Sequence, residues 1–270
     1  MTTYRRWARQ HRLAAFFGLA FAVSWWVWPL HALGLAPTPF LPCGPLVAAL
    51  VVIGITEGRV GYRDLAARML RWRVGWVWWA VAVGTPLAVL AVAAMANVAF
   101  FGAPAPAVAA MAWSAIAVAL AIRFVNPLDG PLGEEPGWRG YAVPQLQVDR
   151  SPLAAGLFLA TFASLWHLPL IVLGQLAPIG LVVTFAITLV YVWVFNRTGG
   201  SVLMTLVFHV VQGIGYGALG FAGADAARMD WLTGALWCAI AIAVIVLDRA
   251  AWRTAPPSAI AARRAEPALR

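Results

Sequence analysis

The chain has 270 residues, 63% of them hydrophobic and only 11% charged. A soluble domain carries roughly 25% charged residues, so this composition excludes water as the main solvent. The net charge is +9, from 19 basic residues (all arginine) against 10 acidic ones; these arginines flank apolar runs, where they report membrane topology and anionic headgroups, and no nucleic-acid partner is expected.

The first apolar run, 13–33, follows a basic start and outlasts a signal-peptide core, so it reads as a retained first span. Further spans are expected at 40–55, 76–100, 109–125, 152–173, 179–195, 201–221 and 231–247. Each has about 16–25 residues, the length that crosses ~30 Å of hydrocarbon at 1.5 Å per residue. Lipid offers free backbone groups no partner, so the spans must be helices. The expected fold is all-α, a polytopic bundle of about eight transmembrane helices forming a single integral membrane domain over 1–270, without an internal repeat. Segment 62–73 alternates Arg with Leu and Met at helical spacing and reads as an amphipathic helix on the inner surface.

Arginine placement sets the orientation. With the amino terminus inside, the inner segments hold four arginines at 5–12, five at 59–73, Arg150, Arg197 and five at 249–270. The outer loops hold only Arg228, flanked by Asp225 and Asp230. The expectation is a multi-pass protein of the inner (plasma) membrane with both termini cytoplasmic. Tryptophans near span ends, such as Trp72, Trp76, Trp78 and Trp79, read as an interfacial belt. Cys43 and Cys238 lie in apolar segments with no metal-ligand spacing and read as buried free thiols.

The stretch 109–149 is too long for one upright crossing and is broken by Pro127, Gly130, Pro131, Pro136 and Gly137. Broken backbone at membrane depth is tolerated where it lines a cavity, and Arg123, Asp129, Glu134, Glu135 and Arg139 all fall here. His167 and His209 lie inside apolar spans, where ionisable groups are costly and point to function. Glu135 and Arg139 stand at i, i+4 and can pair on one helix face. Glu134 points about 100° away and is left to face the cavity, which suits a general base. A turn at 149–151 puts Glu134 and His167 at about one level.

These residues carry a resemblance. Gly133-Glu-Glu-Pro-Gly-Trp-Arg-Gly140 resembles the EExxxR motif of the CAAX protease and bacteriocin-processing (CPBP, or Abi) family. Leu165-Trp-His-Leu-Pro169 is similar to its second motif, and Asn196-Arg-Thr-Gly-Gly-Ser201 followed by His209 to its third, the likeness covering about 59–213. The resemblance implies a helix bundle around a conical polar cavity and an intramembrane endopeptidase acting on membrane-associated peptides or proteins in the lipid bilayer. It implies that Glu134, helped by His167, activates water, that His209 stabilises the oxyanion, and that Glu135 and Arg139 hold the geometry. Two positions depart from the pattern. Ala163 stands where the second motif has Phe, with Phe162 one residue early, and Gly213 stands where the third motif has a polar residue. Gln212 is the expected substitute there, and Gly213→Asn the expected restoration.

His167, His209 and Glu134 also make a zinc set by residue type. No HExxH occurs and a direct glutamate–histidine scheme uses the same residues, so the two schemes are both open. Two further readings stand beside the protease: a proton-coupled transporter with the same residues as a relay, and a catalytically weak immunity or scaffold member of the family.

Overall fold

A computed structural model describes residues 7, 10–106, 108 and 111–256. Among these, four helices are long and apolar enough to cross a membrane. They are Arg12–Ala32, which is two helices, α1 (Arg12–Trp25) and α2 (Val27–Ala32), then α5 (Trp76–Phe101), α11 (Ile179–Arg197) and α13 (Gly223–Leu247). The other four expected spans hold shorter apolar helices: α3 (Gly44–Thr56), α6 (Trp113–Val125), α9 (Pro152–Trp166) and α12 (Val202–Gln212). At 1.5 Å per residue the 11 residues of α12 rise only about 17 Å. The expected run 201–221 therefore breaks at Gly213, and its second half is a turn with a short 3₁₀ helix, Tyr216–Leu219. The expected outer loop around Arg228 is already helical, because α13 begins at Gly223. The remaining elements are α4 (Arg59–Met69), α7 (Pro131–Gly137), a π-helical turn (Trp138–Ala142), α8 (Val143–Leu146), α10 (Leu168–Val172) and α14 (Arg249–Arg253).

Packing follows from where small residues allow close approach. α3 lies against α1 on one side and α7 on the other. A Cβ on Gly137 would overlap the backbone of Pro45, and one on Gly133 would overlap the carbonyl oxygens of Pro127 and Pro42. Glycine at these two positions is what lets α7 sit backbone to backbone with α3, as small residues do between membrane helices. α11 is the most buried of the four long spans and packs against both α9 and α13.

Some expectations need correction. The basic amphipathic segment begins earlier and ends sooner than 62–73. Its Gly61 and Leu65 are buried, and Arg68 Nη1 donates to the Gly140 carbonyl at 3.1 Å, so its apolar side docks on the bundle. Trp72, Trp76 and Trp79 are exposed, as a belt requires, but Trp138, Trp166, Trp237 and Trp252 are core residues. Cys43 and Cys238 are free thiols, half-buried rather than fully buried.

Candidate active site

The acidic motif sits where helix geometry changes. α7 begins after Gly130, whose φ of 94° is reserved for glycine, and carries Glu134 and Glu135 in its middle. The chain then widens into the π turn that holds Arg139. Single π turns inside helices are rare and recur at functional sites. Trp138, fully buried, anchors this turn through edge contacts with Phe16 and Trp166.

The two glutamates take separate environments. Glu135 has no exposed surface, and its Oε1 accepts from Arg139 Nη1 at 3.0 Å and from His209 Nδ1 at 2.9 Å. Arg139 is 2% exposed, and its guanidinium lies 4.6 Å from the centre of the Tyr191 ring, which also faces His209 at 5.4 Å. Glu134 instead lines a cavity of about 590 Å³, together with His167, His209, Gln212, Arg139, Arg123 and Asp129. The sequence-derived site residues thus meet at one cavity, with Glu135 just behind its wall.

Hydrogen bonding orients both rings. His167 Nδ1 lies 2.8 Å from the Ala163 carbonyl, which can only accept. Nδ1 therefore carries the proton, and in the neutral ring Nε2 presents a lone pair. Nδ1 of His209 is likewise committed as a donor to the Glu135 carboxylate, so donation from Nε2 requires the doubly protonated ring, with Glu135 as its counter-charge.

The third motif is mostly structural. Gly199 and Gly200, with φ of 63° and 89°, turn the chain between α11 and α12, and the Ser201 hydroxyl caps α12 by accepting from Met204 N at 3.2 Å. That hydroxyl also donates to the Arg71 carbonyl at 2.6 Å, and Gln147 Nε2 donates to Asn196 Oδ1 at 2.9 Å. Together these fix the direction from which α12 brings His209 to the cavity.

Sequence reasoning missed four contributors, Phe40, Thr184, Thr188 and Tyr191. Phe162 does not serve as the missing aromatic beside the histidine; it packs on Phe17 at 4.6 Å and on Phe158 at 4.7 Å. Phe40, from the stretch before α3, stacks on His167 at 6.1 Å and fills that role. Tyr191, Thr188 and Thr184 all line the cavity from α11. Their i, i+4, i+7 spacing is a polar stripe in an apolar span, a signal that was present in the sequence. The Tyr191 hydroxyl is buried and has no hydrogen-bond partner among the described residues.

No three His, Cys, Asp or Glu side chains converge as a metal-binding group among the described residues. As placed, Glu134, His167 and His209 do not fit a three-ligand zinc centre.

Residues 112–215 match the model of a family described as type II CAAX prenyl endopeptidase Rce1-like. The chain is also 26% identical over 136 residues to CAAX prenyl protease 2 of Methanococcus maripaludis. That alignment covers 43% of this chain and 46% of the relative, so the chain matches less than half the length of that protein. The matched segment contains all three motifs, from Glu134 to Gly213. Over residues 112–215, less than half of its length, the chain is thus similar to the Rce1-like CAAX prenyl endopeptidases, in the direction that its three motifs suggest.

Proposed function

We propose that the protein is an intramembrane endopeptidase that hydrolyses a peptide bond in a membrane-associated peptide or protein, working directly through glutamate and histidine. The observation that carries this reading is the division of labour between the glutamates: Glu135 is consumed by Arg139 and His209, while Glu134 is turned into the cavity that His167 lines. A water between Glu134 and His167 Nε2 gives its proton to Glu134 as its oxygen bonds to the scissile carbonyl carbon. The carbonyl oxygen takes the electron pair as an oxyanion, which His209 Nε2–H receives. The carbon–nitrogen bond then breaks, and the proton held by Glu134 passes to the departing amine. Gln212 also lines the cavity and carries an amide donor. Because the three candidate ligands do not converge, no step is routed through zinc.

The test compares the wild type with Glu134→Gln, purified in lipid nanodiscs, on a prenylated quenched-fluorescent peptide with a CAAX end. That substrate class is suggested by the name of the methanococcal relative. Membrane and secreted peptidomics of cells carrying each form extends the search beyond it. Cleavage by the wild type that Glu134→Gln abolishes is expected. Equal peptide profiles in the two strains, with no cleavage in vitro, would overturn the protease reading and leave the scaffold or transporter. Zinc content, and turnover before and after chelation, separates the direct scheme from a metal-dependent one.

A further inference from the structure

We infer that Arg123 is a catalytic residue of this site, a second donor to the oxyanion beside His209. The inference rests on the protease reading above. Arg123 lies in the last turn of α6 and lines the cavity. Its guanidinium occupies the space next to Gly213 so completely that a Cβ built on Gly213 would fall on its Nη2, Cζ and Nε atoms. Gly213 follows His209 by four residues and its N–H donates to the His209 carbonyl at 3.1 Å, so the two positions lie one turn apart on one face of α12. The guanidinium therefore stands where a side chain at position 213 would stand, one helical turn along from His209.

The other charges fit this role. Arg139, the second guanidinium at the cavity, is committed to Glu135 and to the Tyr191 ring. Arg123 is tied to Asp129 Oδ1 through Nη1 at 2.9 Å, which orients the group. Its Nε is buried and has no acceptor in the protein among the described residues. A purely structural pair with Asp129 would not need the guanidinium to lie against Gly213, nor Gly213 to lack a side chain. A preoriented cation is worth most where negative charge develops during the reaction, and the carbonyl oxygen gains its electron pair on the His209 side of the cavity. In the balanced step above, Arg123 gives and takes no proton; it lowers the energy of the oxyanion by hydrogen bonding.

This reverses one expectation drawn from sequence. Gly213→Asn does not restore a missing donor; its Cβ displaces the donor already there.

The test is steady-state kinetics on the cleaved peptide with Arg123→Gln, Arg123→Lys, Gly213→Ala and Gln212→Leu, each checked for thermal unfolding in detergent. Arg123→Gln is expected to lower kcat by about 10²–10³ with little change in KM, the usual cost of an oxyanion donor. Arg123→Lys should recover part of that loss. Gly213→Ala, which leaves the Arg123–Asp129 pair chemically intact, should lower kcat in the same direction, so a poorly folding Arg123 variant does not shield the idea. Wild-type kcat in the Arg123 variants overturns it, as does a rise in KM alone, which would make Arg123 a binder of a substrate carboxylate. So does a loss confined to Gln212→Leu. In each of these cases the Glu134→Gln result still stands, so failure here is distinguishable from failure of the protease reading; a wild type that cleaves nothing removes both.

Discussion

Glu135 and Arg139 are buried together, at 0% and 2% side-chain exposure, with His209 as the third member. Removing one partner of such a pair leaves an uncompensated charge in a medium that cannot solvate it, at a cost of about 3–5 kcal/mol. Glu135→Gln and Arg139→Gln should each lower stability by roughly that amount, while the double variant should cost much less than the sum of the two. Denaturant or thermal unfolding in detergent of the three variants checks this, and additive losses would refute the coupling. Glu134→Gln should unfold close to the wild type, because neither Arg139 nor His209 bonds to Glu134. The spacing of Glu135 and Arg139 made their pairing legible in the sequence, since i, i+4 neighbours meet on a helix. The π turn that follows was not legible, because no local residue preference marks the change in winding at Trp138–Ala142. Phe40 was hidden for a different reason: it reaches His167 across 127 positions of chain from a non-helical stretch, and a periodicity argument does not extend that far.

At the level of elements, the sequence located the apolar regions but overestimated several helices. Helices α9 and α12 stop at His167 and Gly213, so each delivers a site residue at or near its end rather than in mid-span. Hydropathy continues through these breaks, because Leu168–Val172 and the residues after Gly213 are also largely apolar. Pro169, in the first turn of α10, has no N–H to continue the hydrogen-bond ladder of α9, which supports the first break. The join between α11, α13 and the chain beyond is polar. Asp248, just past α13, pairs with Arg197 and accepts from Trp193 Nε1 at 2.7 Å. The hydrogen bond from Arg197 is the main influence that holds the Asp248 carboxyl below its usual range. A carboxylate whose folded value is lowered adds stability above its unfolded value, about 3.9, and loses it as pH falls through the lower folded value. The pair is partly exposed, so solvent screening limits it to about 1 kcal/mol or less. Asp248→Asn should therefore be slightly less stable than the wild type at pH 7. The difference should close on acidification below about pH 4. A gap that widens on acidification would show that the ion pair is not its source.

Across the whole molecule, the charge distribution gives the bundle a direction. α13 rises about 37 Å over its 25 residues, enough to cross the hydrocarbon. At its start Arg228 is neutralised locally: it pairs with Asp225 and donates from Nε to Asn97 Oδ1 at 2.8 Å. At its other end Arg249 and Arg253 follow Asp248 and begin the basic tail. Uncompensated arginine thus lies only at the carboxyl end of this helix, so the positive-inside rule predicts a cytoplasmic carboxyl end, which reporter fusions test. α4, with its arginines at 59, 63 and 68, marks the same face, because Arg68 reaches Gly140 and Arg71 accepts from Ser201 at the α11–α12 turn. Reporter fusions should use Arg270 and the exposed turn at Gly220, since the expected loop around Arg228 is helical. A reporter active only inside the cell should work at Arg270 and fail at Gly220, and one active only outside should give the reverse pattern. An external signal at Arg270 would invert the bundle and place the turn that carries Ser201 on the outer face.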